Sequence, residues 1–209
     1  MSDSTGAEEM GRSISDETVF ANMEEIFKTA PGRIICATFS SLLTRIQQLV
    51  TLSEQYGRKV VIQGYSMKGN VEIAKHLKYL TVQKSTFVSA EESLGMKPEK
   101  VVILGTGAQG EENAMLMRIA TGEHRFFRIQ KGDTVIFSSS VIPGNERTVQ
   151  NVKDLMYRQG ATVINYKMMD VHAGGHAKQE DLKLMIKLIN PRYFIPIEGH
   201  HSFLKIHAK

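Results

Sequence analysis

The residues best suited to chemistry in this sequence lie near its carboxyl end. His172 and His176 flank a pair of glycines in the stretch VHAGGHAKQ, and Glu198, His200 and His201 follow. Side chains of these types ligate metals or move protons, and a catalytic zinc commonly takes three protein ligands. The alternative is a glycine turn closed by a histidine cap. Spacing alone favours the turn and leaves both interpretations open.

Other catalytic motifs are absent from the sequence. It contains no HExxH, CxxC, GxSxG or Walker A pattern. The single cysteine, Cys36, lies within the apolar run IICATF and is predicted to be a buried small hydrophobe rather than a nucleophile. A disulfide framework is excluded because there is no second cysteine.

A glycine-rich turn at residues 105–110 fits the pattern GxGxxG between a predicted strand and a predicted helix. A dinucleotide site also needs an acidic residue about 20 positions later, at the end of the next strand. That strand would be FFRIQ, which ends in Gln130. The pattern therefore favours a phosphate-contacting or tight turn. A nucleotide-binding α/β enzyme remains as an alternative.

The elements that must position these residues alternate along the chain. Apolar strands joined by amphipathic helices indicate a parallel sheet covered on both faces, which is an α/β fold. The predicted strands are 33–38, 59–63, 100–105, 134–138, 161–166 and 192–197. The predicted helices begin after Ser15 and then span about 42–50, 69–79, 111–120, 145–158 and 179–189. Residues 81–98 lack regular periodicity and are predicted to be peripheral.

Four loops that follow strands are rich in glycine, serine and threonine. They are 38–41, 64–70, 105–113 and 138–146. In an open parallel sheet such loops meet at the carboxyl ends of the strands, where ligands bind. Their amides and hydroxyls suit phosphate oxygens, so a phosphate-bearing ligand is predicted.

The composition is that of a soluble globular protein. Of 209 residues, 42% are hydrophobic and 23% are charged, and the net charge is +4. This mild excess of positive charge permits a polyanionic partner without requiring one. No apolar run is long enough to span a membrane, and the first residues do not resemble a secretory signal. A cytoplasmic location and no membrane partner are therefore predicted.

Long blocks across the whole chain resemble one family. The chain is similar to ribonuclease J, in the β-CASP branch of the metallo-β-lactamase superfamily. The blocks are DSTGAEE, GRIICATFSSLLTRIQQ, YGRKVVIQGYSM, VVILGTGAQGEE, GDTVIFSSSVIPGNE, VHAGGHAKQEDLKLMI and PRYFIPIEGH.

This resemblance implies a hydrolase that processes RNA. The family cleaves single-stranded RNA as a 5′-exonuclease and endonuclease, with two metal ions, usually zinc, that activate a water. Asp3 matches the acidic residue of the family's motif A, and His176 matches the histidine of motif B, with His172 beside it. These three are implied to be catalytic. Glu198 stands where the family's PVHGE stretch has a metal-binding histidine, and a carboxylate ligand shifts the preference toward manganese or magnesium.

The resemblance also implies contacts to RNA. The predicted contacts are of three kinds: hydroxyl groups, glycine-rich backbone with a side-chain amide, and an aromatic ring on which a base can stack. They are Ser138, Ser139, Ser140, Gly107, Gln109, Phe39 and Gly174, which replaces a serine of the family's HxSGH stretch. Basic side chains predicted to add affinity for the backbone are Arg33, Arg45, Lys68, Arg118 and Arg147.

One family signature, HxHxDH, is missing from the sequence. The chain is therefore expected to be a part of the enzyme that binds no metal and is inactive alone, with the missing metallo-β-lactamase half supplied in cis or in trans. The alternative is a non-catalytic RNA-binding or assembly module, and a homo-oligomer is also expected. The predicted domains are 15–165 for the β-CASP domain, with 1–14 and 166–209 as metallo-β-lactamase segments.

Overall fold

The computed structural model describes residues 1–209, which form two compact units. Unit 1 contains residues 1–16 and 173–209, and unit 2 contains residues 17–172. This is a grouping by contacts within the chain. The domain bounds drawn from the family resemblance, at 14/15 and 165/166, remain a prediction.

The elements of unit 2 alternate as the sequence predicts. Its strands are β2 (Ile34–Ala37), β3 (Lys59–Ile62), β4 (Val101–Gly105), β5 (Thr134–Phe137) and β6 (Thr162–Asn165). Its helices are α1 (Asp16–Thr29, whose first residue belongs to unit 1), α2 (Leu43–Gln55), α3 (Tyr65–His76), α4 (Ala90–Ser93), α5 (Met115–Ala120) and α6 (Glu146–Arg158). A single 3₁₀ turn, Pro98–Lys100, precedes β4.

The five strands of unit 2 form one sheet in the order β3-β4-β2-β5-β6, with every neighbouring pair parallel. The central strand β2 aligns Ile35 with Ile103 on one side and with Val135 on the other. All residues of β2, β4 and β5 are buried, as expected of strands that helices cover on both faces. The predicted α/β class with a mostly parallel sheet is confirmed.

The core on one face of this sheet lies beneath α5 and α6. Alternate strand residues such as Ile35, Ile103 and Val135 meet Leu116 and Val152 from these helices in one buried cluster. Because β6 is an edge strand, its burial is only partial. The loops that follow the strands therefore begin from a buried core.

The peripheral segment 81–98 extends the sheet at its β3 edge. Val60 donates its amide to Thr86 O at 2.8 Å and accepts from the Val88 amide at 3.1 Å, so that Phe87 bridges to Val60 in parallel. One bridged pair is too short to produce strand periodicity, so no local pattern predicts it.

Three predicted elements differ from the structure in length. The helix predicted over 111–120 begins only at Met115, because residues 105–114 form a turn in which the Leu116 amide donates to Thr106 O. The helix predicted to begin near 69 begins at Tyr65. The strand predicted over 192–197 is only β7 (Pro196–Ile197), because its partner β1 (Ser2–Asp3) has two residues.

Unit 1 joins the two ends of the chain. Strands β1 and β7 pair in parallel, with Asp3 opposite Ile197. Helix α7 (Gln179–Ile189) is tied to the N-terminal segment by the Ser13 amide, which donates to Asp181 Oδ2 at 2.7 Å. Helix α8 (His201–His207) follows β7. No helix in either unit has the length and apolar content needed to span a membrane.

Candidate catalytic pair and sheet-edge site

Asp3 and His176 form a close pair in unit 1. His176 Nδ1 lies 2.6 Å from Asp3 Oδ2, although 173 positions separate the two residues in sequence. Strand β1 fixes Asp3 at its end, and the segment before α7 presents His176. The structure thus brings together two of the residues that the family resemblance implied to be catalytic.

A glycine permits the close approach of these two segments. A Cβ on Gly6 would lie 2.2 Å from the Ala177 carbonyl oxygen, a distance no side chain tolerates without backbone movement. Ala177 directly follows His176 in sequence. The glycine at position 6 therefore lets the backbone that carries the histidine lie against the backbone that carries the aspartate.

Hydrogen bonds hold the Asp3 carboxylate in its charged form. The Thr5 amide and hydroxyl donate to Oδ1 at 2.9 and 2.7 Å. Partial burial raises the pKa of Asp3, but the hydrogen bonds from His176 and Thr5 outweigh it and lower the pKa to about 2. Asp3 is therefore ionised at neutral pH and orients the His176 ring through Nδ1. The second ring nitrogen, Nε2, is left to accept or donate a proton.

The lowered pKa of Asp3 predicts a loss of stability in acid. The folded state binds this proton more weakly than a free carboxyl of pKa 3.8, so Asp3 stabilises the fold above pH 4, and this contribution is lost as the pH falls toward 2. Urea unfolding of the wild type and Asp3→Asn between pH 6 and 2 checks this. The difference in unfolding free energy between the two should shrink across that window, and a constant difference would contradict the assignment.

Glu198, the predicted metal ligand, lies exposed after β7 with a left-handed backbone, φ 60°. The structure contains no group of three or more histidine, cysteine, aspartate or glutamate side chains that could hold a metal ion. The side chains of this chain therefore do not fit a two-metal centre by themselves. The role of Glu198 as a ligand remains a prediction.

Sequence reasoning missed a second histidine in unit 1. His207 is buried, its Nδ1 lies 3.0 Å from Ser4 Oγ, and its ring packs edge-on against Phe194 at 4.8 Å. Burial lowers the pKa of His207 below its usual value and outweighs the opposing effect of the Asp3 charge. Because Ser4 follows Asp3, this bond fixes the strand that presents the aspartate. The only signal in the sequence that could have predicted its burial is that His207 ends a short segment containing Phe203, Leu204 and Ile206.

The predicted RNA contacts Phe39, Gly107 and Gln109 gather in unit 2. They line one cavity of about 320 Å³, together with hydroxyl side chains from the same loops. The cavity lies between the loops after β2 and β4, at the carboxyl edge of the sheet. The location of this cavity was predictable from the alternation of strands and helices, because the carboxyl ends of parallel strands meet at one edge of the sheet.

Gln109 ties the loop after β5 to the loop after β4. Its Nε2 donates to Ser139 Oγ at 3.1 Å and to Ser140 O at 2.5 Å, and its Oε1 accepts from the Ile142 amide at 2.8 Å. The Ser138 hydroxyl donates to the Val171 carbonyl at 2.7 Å. Ser138 and Ser139 are buried and shape the loop, whereas Ser140 is exposed at its surface.

Two predicted site residues remain, His172 and Gly174, and they belong to different units. In unit 2, His172 is buried and packs edge-on against Phe39, with ring centroids 6.4 Å apart. In unit 1, Gly174 is exposed, and a Cβ built on it meets nothing within 4 Å. The space there accommodates the serine of the family pattern.

Two of the basic residues proposed as backbone contacts are buried. Arg33 pairs with Asp133 at 2.6 Å, and Arg45 is only 1% exposed. The prediction that these two contact a nucleic-acid backbone is wrong, because both side chains are buried. Lys68, Arg118 and Arg147 are exposed.

Comparison with known proteins identifies the family. Residues 31–156 match the model of the ribonuclease J β-CASP domain. Over 209 residues the chain is 37% identical to Ribonuclease J of Helicobacter pylori strain J99, covering 100% of the chain and 30% of that protein. It is 40% identical to Ribonuclease J 1 of Streptococcus pyogenes, covering 100% of the chain and 37% of that protein. It is 41% identical to Ribonuclease J of Thermus thermophilus, and that match covers 95% of the chain and 35% of the relative.

The chain thus spans about a third of the length of these relatives. The matched residues cover most of unit 2, including every strand of its sheet except β6. Because the family model matches more than half of the chain, the chain belongs to the ribonuclease J family and contains its β-CASP domain.

Proposed function

We propose that this chain is part of a metal-dependent ribonuclease that cleaves single-stranded RNA as a 5′-exonuclease and endonuclease. The observation that carries the proposal is the Asp3–His176 pair, whose atoms lie 2.6 Å apart. The names of the relatives and the net charge of +4, which favours a polyanionic substrate, support it.

The pair supplies proton chemistry to phosphodiester hydrolysis. As water attacks phosphorus and the bond to the leaving ribose oxygen breaks, that oxygen needs a proton. Protonated His176 donates it from Nε2, while the Asp3 carboxylate stabilises the imidazolium through Nδ1. Asp3 keeps its charge throughout, because its pKa of about 2 lies far below neutral pH.

The activity also requires two metal ions, zinc or else manganese or magnesium, which supply an activated water when bound. The side chains present here do not complete such a centre. We therefore expect the other ligands to come from a metallo-β-lactamase portion, in the same polypeptide or a second one. The chain alone then binds RNA weakly, through Phe39, Ser140 and the loop around Gly107, without cutting it. A cytoplasmic location and a homo-oligomer belong to the same proposal.

The first test measures the 209-residue chain alone. Calorimetry with zinc and with manganese should show no stoichiometric tight binding, and a 5′-monophosphorylated single-stranded RNA should remain uncut. Adding the metallo-β-lactamase portion should restore cleavage. Metal binding and cleavage by the chain alone, both lost in Glu198→Ala, would contradict this division of ligands. RNA binding without cleavage in the assembled protein would favour the non-catalytic module instead.

A further inference from the structure

A second cavity in unit 2 lies beside the first two turns of α6, at the carboxyl ends of β5 and β6. Its volume is about 230 Å³. It shares Ala108 with the cavity that holds Phe39, but none of its other lining residues. Neither the Asp3–His176 pair nor the residues predicted to contact RNA account for it, apart from Ser139 at its wall.

Two lysines give this cavity a positive charge. Lys153 from α6 and Lys167 from the turn after β6 both line it, and neither forms an ion pair within the chain. The carboxylate at the cavity is Glu146, which accepts from the Gly144 amide at 2.8 Å. Two cations against one engaged carboxylate make the cavity attractive to an anion such as a phosphate.

Fixed polar groups add directional hydrogen bonding. The Asn165 side-chain oxygen accepts from the Lys167 amide at 3.0 Å, which orients the side chain and leaves its NH₂ group free to donate. The buried Ser139 hydroxyl accepts from Gln109 at 3.1 Å and keeps its own proton to donate. Neither group needs to reorganise in order to bind a ligand.

The remaining walls are apolar and aromatic. Phe137 and Val149 line the cavity from the buried core, and Tyr166, whose ring centre lies 6.0 Å from Lys167 Nζ, lines it as well. Such surfaces accept the face of a nucleobase. The volume of about 230 Å³ lies below the range of about 300–1,000 Å³ of common ligand cavities, so a single nucleotide fills this cavity with part of the ligand in solvent.

We propose that this cavity binds a nucleoside monophosphate, with its phosphate at Lys153 and Lys167 and its base against Tyr166. The choice of a nucleotide rests on the proposed ribonuclease function, because degradation of RNA from an end releases mononucleotides. The cavity thus serves as a product-binding site, distinct in its residues from the pair that moves the proton.

The test titrates the 209-residue chain with 5′-AMP, 5′-UMP, adenosine and inorganic phosphate, by calorimetry. Lys153→Gln and Lys167→Gln should each weaken nucleotide binding by about tenfold, the effect of losing one charge-assisted hydrogen bond. Lys84→Gln, which changes an exposed lysine outside the cavity, is the matched control and should bind as the wild type does. Thermal unfolding of each variant confirms that it is folded.

Three results would overturn the proposal. They are no binding of either nucleotide, inorganic phosphate binding as tightly as 5′-AMP, or equal affinities of the two lysine variants and the control. A 5′-phosphorylated tetranucleotide that binds more tightly than 5′-AMP, with the same loss in Lys153→Gln, would identify an RNA end as the ligand instead. None of these measurements needs metal or cleavage, so failure of the ribonuclease proposal is detected separately.

Discussion

Replacing His176 by alanine should slow RNA cleavage by about 10²–10⁴-fold in the ribonuclease assembled with its metallo-β-lactamase portion, the loss typical of a missing general acid. The physical reason is that, in the mechanism we propose, Nε2 donates the proton to the leaving oxygen, while Asp3 holds the ring through Nδ1 at 2.6 Å. Single-turnover cleavage of a labelled single-stranded RNA, at saturating enzyme, measures the chemical step.

Two further readouts separate catalysis from folding. His76→Ala, which removes an exposed histidine at the end of α3, should leave the rate unchanged. The rate lost in His176→Ala should return partly with added imidazole, which a merely structural role would not allow. An unchanged rate in His176→Ala would refute its role as proton donor.

Replacing Asp133 by alanine should lower the free energy of unfolding by about 3–5 kcal/mol, since it strands a buried guanidinium. Asp133 accepts from Arg33 Nε at 2.9 Å and Nη2 at 2.6 Å, and from the Gln130 amide at 2.8 Å. The two paired side chains are 8% and 2% exposed, so solvent cannot replace the lost carboxylate. Urea unfolding followed by circular dichroism measures the change.

A double variant and a surface variant test the cause of this loss. Arg33→Met combined with Asp133→Leu removes both charges and should recover most of the stability, because an apolar pair has no unpaired charge to bury. Asp154→Ala, on the exposed face of α6, should change stability by no more than about 0.5 kcal/mol. A double variant as unstable as Asp133→Ala would locate the loss in packing rather than in charge.

Most of the unit 2 fold was predictable from local patterns. Each buried strand is a continuous apolar run, and each long helix carries an apolar stripe, because these periodicities follow from backbone geometry alone. The bounds of β2, β3 and β5 were predicted to within a residue or two. The segment 126–130 was the exception: it is apolar enough to suggest a strand, yet it forms no strand.

The buried arginines show where local patterns fail. Arg33 and Arg45 are charged, and charge alone predicts a solvent-exposed residue. Arg33 is buried because Asp133, 100 positions away, lies beside it after the strands pair. No local sequence pattern includes both residues, so their ion pair could not be predicted from the sequence.

The sequence by itself determined the fold class, the order of its elements and, through family resemblance, the identities of Asp3 and His176. Only the tertiary structure decided which of these side chains meet. It placed Asp3 against His176, turned Ser138 and Ser139 inward, and left Lys153 and Lys167 without counterions around one cavity. The physical reason is that periodicity is a property of neighbouring residues, whereas a site depends on long-range packing that brings remote segments to one place.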